Sequence, residues 1–332
     1  MLKVKMVDRG VLFWLLVLPV ALSLIVPYEI KPTVEDSKKK MTGQRELRAC
    51  DNFVVNSIPG GAATVEKIAA NYLAWLNDIK PSSSFDGRWK HEPAKIMHGA
   101  PSLPTCSNLQ RFGEKNNYDE QKFFCFDRKM HGRNVKLDPE RPCRAYSIGS
   151  MNVWDFENTF FEGTNCRVDT FDCTGAHGNS SNNKGGRKMV IPMAIRERAF
   201  AHEICLGTTK AIKGTDPPRQ FMKMSDMNEH VSLHRPPDYF KIDIEGNEWR
   251  VFEAMLDNAV SSKAMHAAQP DQIFGEFHLD RPKALQKKYV GVKLRNFIGD
   301  MFRKGGYMVM FDRVTIQTRN HDYLFTKVLC PV

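Results

Sequence analysis

From Cys143 onward, the sequence alternates between short apolar stretches, which are typical of buried strands, and stretches with helical periodicity. Predicted strands are Arg144–Ile148, Cys166–Phe171, Ala201–Leu206, Tyr239–Ile244, Gln272–Leu279, Tyr307–Asp312 and Tyr323–Leu329. Predicted helices are Trp154–Phe161, a short helix within Phe221–Val231 with Ser225 as its N-cap, Glu248–Leu256 and Pro282–Arg303.

Repeated βα units require a mostly parallel sheet with helices on both faces. The last two strands leave no room for a crossover helix, so we expect that pair to be antiparallel. The pattern predicts an α/β, Rossmann-like fold with a seven-stranded, mostly parallel sheet in residues 143–332.

An apolar segment without charged residues lies near the N-terminus. Residues 10–28 form this segment, and its 19 residues are about the length of a helix that crosses a bilayer. It follows a short tail at 1–9 and precedes a polar stem at 29–48, so we predict a membrane anchor. A cleaved signal peptide is the alternative, because Ala21 and Ser23 match an A-x-A-like spacing. The chain is then a single-pass membrane protein with its catalytic domain in the Golgi or ER lumen, or a secreted protein if the segment is cleaved.

Two further features favour the secretory pathway. All eight cysteines follow the apolar segment, and their even number suits an oxidising compartment. Asn179 begins an N-x-S acceptor sequence for glycosylation. The sequence contains no C-x-x-C pair, so we expect no metal site. Residues 49–142 predict a helical and irregular cap, which includes an amphipathic helix at Ala62–Ile79.

The net charge of +10 is spread along the chain. Short basic clusters such as Lys38–Lys40 and Lys287–Lys288 have no interleaved aromatic residues, and they are typical of solvated faces. We therefore expect no nucleic-acid partner, although the charge leaves an anionic partner open.

The first predicted strand ends in a turn that could approach a nucleotide. Gly149 follows this strand, and Asp172 closes the second strand 23 residues later. Nucleotide-binding α/β folds place a glycine turn and a ribose-binding carboxylate at about this spacing. Met151 stands where a second glycine would complete the G-x-G pattern, so an ordinary βα turn is the alternative.

The stretch DYFKIDIEGNEW contains two carboxylates at a predicted strand end. Asp243 and Glu245 share one side if the strand continues through Glu245. Close carboxylates can act as a general base or orient a substrate hydroxyl. The structural alternatives are helix capping by Glu245 and a salt bridge to Lys241 or Arg250.

The next predicted strand repeats this arrangement. Glu276 and His278 are two residues apart, so both lie on one face, and the neighbouring strand end brings them near Asp243. A neutral imidazole can accept a proton near pH 7. The pattern predicts His278 as the first candidate for the base, with Glu276 and Glu245 in contact with substrate.

These motifs together resemble a known family. The ordered stretches YSIGSMNVWDFE, CRVDTFD, DYFKIDIEGNEW, QIFGEFHL and DYLFT, within residues 105–329, resemble the FkbM-like class I methyltransferases, especially their secreted or membrane-anchored members. The resemblance implies a seven-stranded sheet with an antiparallel last strand, S-adenosylmethionine as cofactor, and methyl transfer to an oxygen of a small-molecule or glycan acceptor. It also implies roles for individual residues: Gly149, Asn152 and Asp243 beside the cofactor, Asp172 on its ribose, and Asp243, Glu245 and His278 facing substrate.

The chain departs from the family in the first motif. Relatives usually have a form such as G-I-G-N-D, whereas this chain has G-S-M-N-V at 149–153. Met151 could crowd the cofactor, so a domain that keeps the fold but acts as a binding module is the competing hypothesis. A Golgi-type glycosyltransferase is a third, but the glycine and tryptophan that follow the D-x-D-like element Asp243-Ile244-Glu245 fit the methyltransferase pattern better.

Overall fold

A computed structural model describes residues 47–78, 101–114, 121–136, 139–140, 142–173, 189–207, 220–232, 235–244, 246–261, 269–278, 292–314 and 320–331. Several predicted features lie outside these ranges. They are the anchor at 10–28, the glycosylation acceptor at Asn179, the candidate site residue Glu245, and residues 279–291. Within the described ranges, no helix combines the length and the apolar character that a membrane crossing requires.

A seven-stranded sheet forms the centre of the domain. Its strands, in chain order, are β4 (Arg144–Ile148), β5 (Arg167–Phe171), β6 (Ala199–His202), β9 (Tyr239–Ile242), β10 (Gln272–His278), β11 (Tyr307–Val314) and β12 (Asn320–Lys327). Their spatial order is β11-β12-β10-β9-β4-β5-β6. The pairs from β10 through β6 are parallel, and β12 is antiparallel to both of its neighbours. The predicted mostly parallel sheet with an antiparallel last strand is confirmed.

In the described part of the chain, three short two-stranded sheets accompany the central one. Their strands are β1 (Leu47–Ala49) with β13 (Leu329–Pro331), β2 (Leu109–Phe112) with β3 (Lys122–Cys125), and β7 (Cys205–Leu206) with β8 (Phe221–Met222). The described helices are α1 (Phe53–Ser57), α2 (Gly61–Asp78), α3 (Arg128–His131), α4 (Asp155–Gly163), α5 (Met224–His230), α6 (Glu248–Ser261) and α7 (Val292–Arg303). A short 3-10 helix covers Met193–Ile195.

Helices cover both faces of the sheet. The Tyr146 hydroxyl in β4 donates to Asn228 of α5. On the neighbouring strand β5, the Thr170 hydroxyl donates to Glu157 of α4. Tyr146 pairs with Asp169, and Thr170 is the following residue, so the two contacts lie on opposite faces. All four residues of β9 are buried, as expected for a strand covered on both sides.

Several predicted boundaries differ from the structure. The strand expected at Ala201–Leu206 is split into β6 and β7, and the strand expected to reach Ile244 ends at Ile242. Ser225 is not an N-cap, because α5 begins at Met224 and Lys223 occupies the cap position. The Ser225 hydroxyl bonds Asp226 instead.

The N-terminal segment is built into the same hydrophobic core as the sheet. The Gln272 side chain in β10 accepts from Cys125 N–H at 2.7 Å and donates to Cys125 O at 2.8 Å. Phe124 packs edge-on against Tyr239 of β9. These contacts hold β3 against the sheet, and they place Lys122 of the same strand near the sheet edge.

All eight cysteines form disulfides, which are Cys50–Cys330, Cys106–Cys125, Cys143–Cys166 and Cys173–Cys205. The first joins the segment before α1 to the C-terminal strand β13, beside the β1–β13 pair. Residues 47 and 48, expected in a polar stem, therefore belong to the folded unit.

Candidate active site

The turn after β4 is shaped by close backbone contacts. Gly149 has a φ of +80°, and a Cβ there would lie 1.7 Å from the Asp243 carbonyl oxygen. Asp243 N–H donates to Ile148 O at 3.0 Å, and Gly149 N–H donates to Phe171 O at 3.0 Å. Only glycine fits this position, because β4 meets the ends of both neighbouring strands there.

Met151 adopts the conformation that a glycine would favour. Its φ is +48°, that of Asn152 is +63°, and the Met151 residue is 62% exposed. The Asp172 carboxylate accepts from Met151 N–H at 2.5 Å. Met151 thus stands in place of the second glycine, and Asp172 holds its backbone. The left-handed conformation of a non-glycine residue costs about 1–3 kcal/mol of backbone strain.

Asn152 anchors the segment that follows the turn. Its Oδ1 accepts from Trp154 Nε1 at 3.1 Å and from Val190 N–H at 3.2 Å. The predicted cofactor residues Gly149, Asn152, Asp172 and Asp243 are therefore brought together at the carboxyl edge of β4, β5 and β9.

A buried lysine forms a hydrogen bond with the backbone of the turn. Lys241 Nζ donates to Gly149 O at 2.6 Å. Glu157 lies buried nearby and accepts from Thr170 Oγ1 at 3.3 Å. Burial raises the pKa of Glu157, and the charge of Lys241 lowers it without cancelling the rise. Lys241 thus holds the turn, rather than merely flanking the acidic motif.

Charged side chains gather on the other side of Asp243. Lys122 Nζ lies 3.9 Å from Asp243 Oδ2 and 3.6 Å from Glu276 Oε2. His278 Nε2 lies 3.9 Å from Asp243 Oδ1 and 3.8 Å from Glu276 Oε1. The Asp243 side chain is 25% exposed and that of Lys122 is 0% exposed, so Asp243 is the member of this cluster that solvent reaches most.

Glu248 orients the imidazole. Its Oε1 lies 3.2 Å from His278 Nδ1 and accepts from Ile244 N–H at 2.7 Å. The Glu248 side chain is fully buried at the start of α6. His278 Nε2 is consequently directed toward Asp243 and Glu276.

The pKa values of Asp243, Glu276 and His278 are shifted in different ways by their surroundings. Burial raises the pKa of Asp243, but Lys122, Lys241 and His278 outweigh it, and the net pKa is lowered. Burial and the charge of Asp243 raise the pKa of Glu276 to about 7. Burial lowers the pKa of His278, yet Glu248, Asp243 and Glu276 raise it to about 9. The imidazole is thus a cation at neutral pH in this arrangement, whereas the sequence led us to expect a neutral one.

The sequence predicted that Asp243, Glu276 and His278 lie close together, as they do. It did not indicate Glu248 or Lys122, and it gave Lys241 only as a salt-bridge partner. Glu248 and Lys241 lie in the DYFKIDIEGNEW stretch, where their spacing from the strand end could have indicated them. Lys122 lies far upstream, and no local pattern marks it. Glu245, the other predicted catalytic residue, lies outside the described part of the chain.

The sequence matches a family model, Methyltransf_22, described as a methyltransferase domain, over residues 61–326. The chain belongs to this methyltransferase family. It is an S-adenosylmethionine-dependent enzyme with the class I methyltransferase fold, and the match includes the turn, the charged cluster and Lys122. No curated protein matches the sequence.

Solved structures of other methyltransferases are weakly similar to this chain. Fibrillarin from Aeropyrum pernix, solved with natively bound S-adenosyl-L-methionine, is 10% identical, with a TM-score of 0.32 over 58% of this chain and 70% of that chain. The 16S rRNA (adenine(1408)-N(1))-methyltransferase from Catenulisporales acidiphilia is 9% identical, with a TM-score of 0.30 over 60% of this chain and 98% of that chain. Both TM-scores are low, and the family assignment rests on the sequence match.

The residues of the methyltransferase fit its cofactor. Asp172 lies buried where β5 ends, beside the turn of β4, which is the position from which a carboxylate can accept from ribose hydroxyls. Gly149, Asn152 and Asp172 would hold the cofactor, and Lys241 would keep the turn in place.

Proposed function

We propose that the chain transfers a methyl group from S-adenosylmethionine to a hydroxyl oxygen, such as that of a carbohydrate. The observation that carries this proposal is the position of Asp243. Its backbone contacts Gly149 of the cofactor turn, and its side chain belongs to the charged cluster with Glu276 and His278. A hydroxyl bound against Asp243 would therefore lie between the cofactor and Glu276, whose pKa of about 7 suits a proton acceptor.

The chemistry requires alignment and removal of one proton. S-adenosylmethionine supplies an electrophilic methyl group on a positively charged sulfur. The acceptor oxygen attacks the methyl carbon, the C–S bond breaks, and its electron pair stays on sulfur. Asp243 would orient the acceptor, and the hydroxyl proton would pass to the carboxylate of Glu276, whose pKa is raised to about 7. The His278 imidazolium would lie beside both carboxylates. Glu248 would keep the imidazole aligned, and Glu245 is proposed to contact the acceptor.

We further propose that the chain is an FkbM-like enzyme of the secretory pathway, anchored by residues 10–28 or released if that segment is cleaved. The four disulfides support an oxidising compartment. Protease protection and glycosidase treatment of the protein made in cells test this localisation. A full-length chain that is digested by protease added outside intact vesicles would contradict it.

The acceptor class is tested by incubating the full-length chain with radiolabelled cofactor and a glycan panel. We expect label on a hydroxyl oxygen of a glycan, with linkage given by mass spectrometry, and its loss in Glu276→Gln. Cofactor binding without transfer to any glycan would contradict the carbohydrate assignment. No binding of cofactor at all would favour the competing binding-module hypothesis, which the non-glycine residue at position 151 supports.

A further inference from the structure

The ends of β9 and β10 and the start of α6 carry a donor set that the methyltransferase assignment does not explain. Asp243, Glu248 and His278 each offer one ligand atom, and the three atoms lie within 4.8 Å of one another. Two carboxylates and an imidazole are ligands that divalent cations accept in proteins. The set comes from three different elements, and its members are buried except for the partly exposed Asp243.

Glu248 has an unsatisfied oxygen in this set. Its Oε1 is engaged with Ile244 N–H and His278, as described above. Its Oε2 is buried and has no hydrogen-bond partner among the described residues. A buried acceptor without a donor costs about 1–3 kcal/mol, and more when it is charged. A cation beside Glu248 would remove this cost.

The spacing of the neighbouring groups also suits an ion. Glu248 Oε1 lies 3.2 Å from His278 Nδ1, and the Asp243 carboxylate lies beside the same imidazole, with its Oδ1 3.9 Å from Nε2. Ligands bound at about 2.0–2.2 Å from one cation lie roughly 3–3.6 Å apart when adjacent. The pair formed by Glu248 Oε1 and His278 Nδ1 already has this spacing, and a shift of the partly exposed Asp243 side chain would complete the set.

The charge balance points the same way. The carboxyl groups of Asp243, Glu248, Glu276 and Asp322 lie close enough to influence one another electrostatically, and the basic groups that face them are Lys122, Lys241 and His278. Lys122 lies near Asp243 Oδ2 and Glu276 Oε2. His278 gives up its proton when it binds a cation, so four carboxyl groups would then face two ammonium groups. A divalent cation balances this difference without displacing Lys122.

We propose that Asp243, Glu248 and His278 bind one divalent cation. An oxygen-rich set with a single imidazole suits Mn²⁺ or Mg²⁺. If the proposed methyl transfer to a hydroxyl is correct, on which this part of the inference rests, the cation would also bind the acceptor oxygen and favour its deprotonated form.

The test is titration of the full-length chain with Mn²⁺, read by the loss of the free-ion electron paramagnetic resonance signal. We expect one Mn²⁺ per chain and competition by Mg²⁺. Glu248→Gln and Asp243→Asn should each weaken binding by about tenfold or more. Asp257→Asn is the matched control, because this carboxylate is 75% exposed on the surface and pairs only with Lys304 among the described residues.

Absence of saturable binding at about 1 mM Mn²⁺ would overturn the proposal, as would unchanged affinity in both site variants. If Glu248→Gln does not fold, Asp243→Asn decides the outcome, because Asp243 is partly exposed. Calorimetry of S-adenosylmethionine binding in EDTA separates the two proposals. Cofactor binding without Mn²⁺ binding defeats only the cation site, and Mn²⁺ binding without cofactor binding defeats only the proposed methyl transfer.

Discussion

The two sides of Asp243 are held by different forces. On one side, the turn at 149–152 is held by backbone hydrogen bonds and a contact that leaves no space for a Cβ. On the other, Lys122, Glu276 and His278 carry charges whose atoms lie 3.6–3.9 Å from one another or from Asp243. The cofactor side should therefore be sensitive to shape, and the acceptor side to charge.

The largest effect is expected from Gly149→Ala. A Cβ at this position meets the Asp243 carbonyl and requires a positive φ, so we expect a loss of about 3–5 kcal/mol in the free energy of unfolding. Guanidinium denaturation with disulfides intact measures it. Gly61→Ala is the control, because Gly61 also has a positive φ but the nearest atom is 4.0 Å away, and it should cost about 1–2 kcal/mol. Equal losses would show that the strand contact is unimportant.

Lys122→Met should destabilise by about 3 kcal/mol through charge alone. The substitution keeps the length of the side chain but leaves the buried Glu276 carboxylate beside Asp243 without this cation. Adding Glu276→Gln should recover at least about 1 kcal/mol of that loss. Denaturation of the two single variants and the double variant, in EDTA, forms the cycle, and purely additive effects would argue against charge as the organising force.

Lys241→Met distinguishes the two sides. Its ammonium group donates to the Gly149 carbonyl, so we expect a loss of about 2 kcal/mol in stability and roughly tenfold in cofactor affinity. Lys122→Met should leave cofactor affinity within about threefold of wild type. Calorimetry on both variants checks this, and the reverse ranking would place the cofactor on the wrong side of Asp243.

Met151→Gly should have the smallest effect. Glycine relieves the left-handed strain but adds freedom to the unfolded chain, so we expect a gain of about 0.5–1 kcal/mol. Thermal unfolding measures this gain. A loss of stability would mean that the Met151 side chain makes contacts that its exposure does not suggest.

The sequence predicts the parts of this architecture that depend on local pattern. The seven strands, the glycine turn and the acids at strand ends follow from periodicity and spacing, because parallel strands bring their carboxyl ends to one edge. Lys122 reaches the cluster only through packing of β3 on β10, which no local pattern encodes. The prediction of a neutral His278 was wrong for a related reason. Glu248 comes from α6, and its hydrogen bond and charge raise the pKa of His278.

The central claim is that the turn and Asp172 bind the cofactor while the charged cluster serves transfer. Calorimetric titration of S-adenosylmethionine into the full-length chain, Asp172→Asn and His278→Asn tests it directly. Asparagine at 172 can still accept from Met151 N–H, so this variant removes charge without removing the clamp. We expect binding by the wild type, a loss of at least about tenfold in Asp172→Asn, and a change below about threefold in His278→Asn. No heat from the wild type at millimolar cofactor, or an equal loss in both variants, would contradict the account.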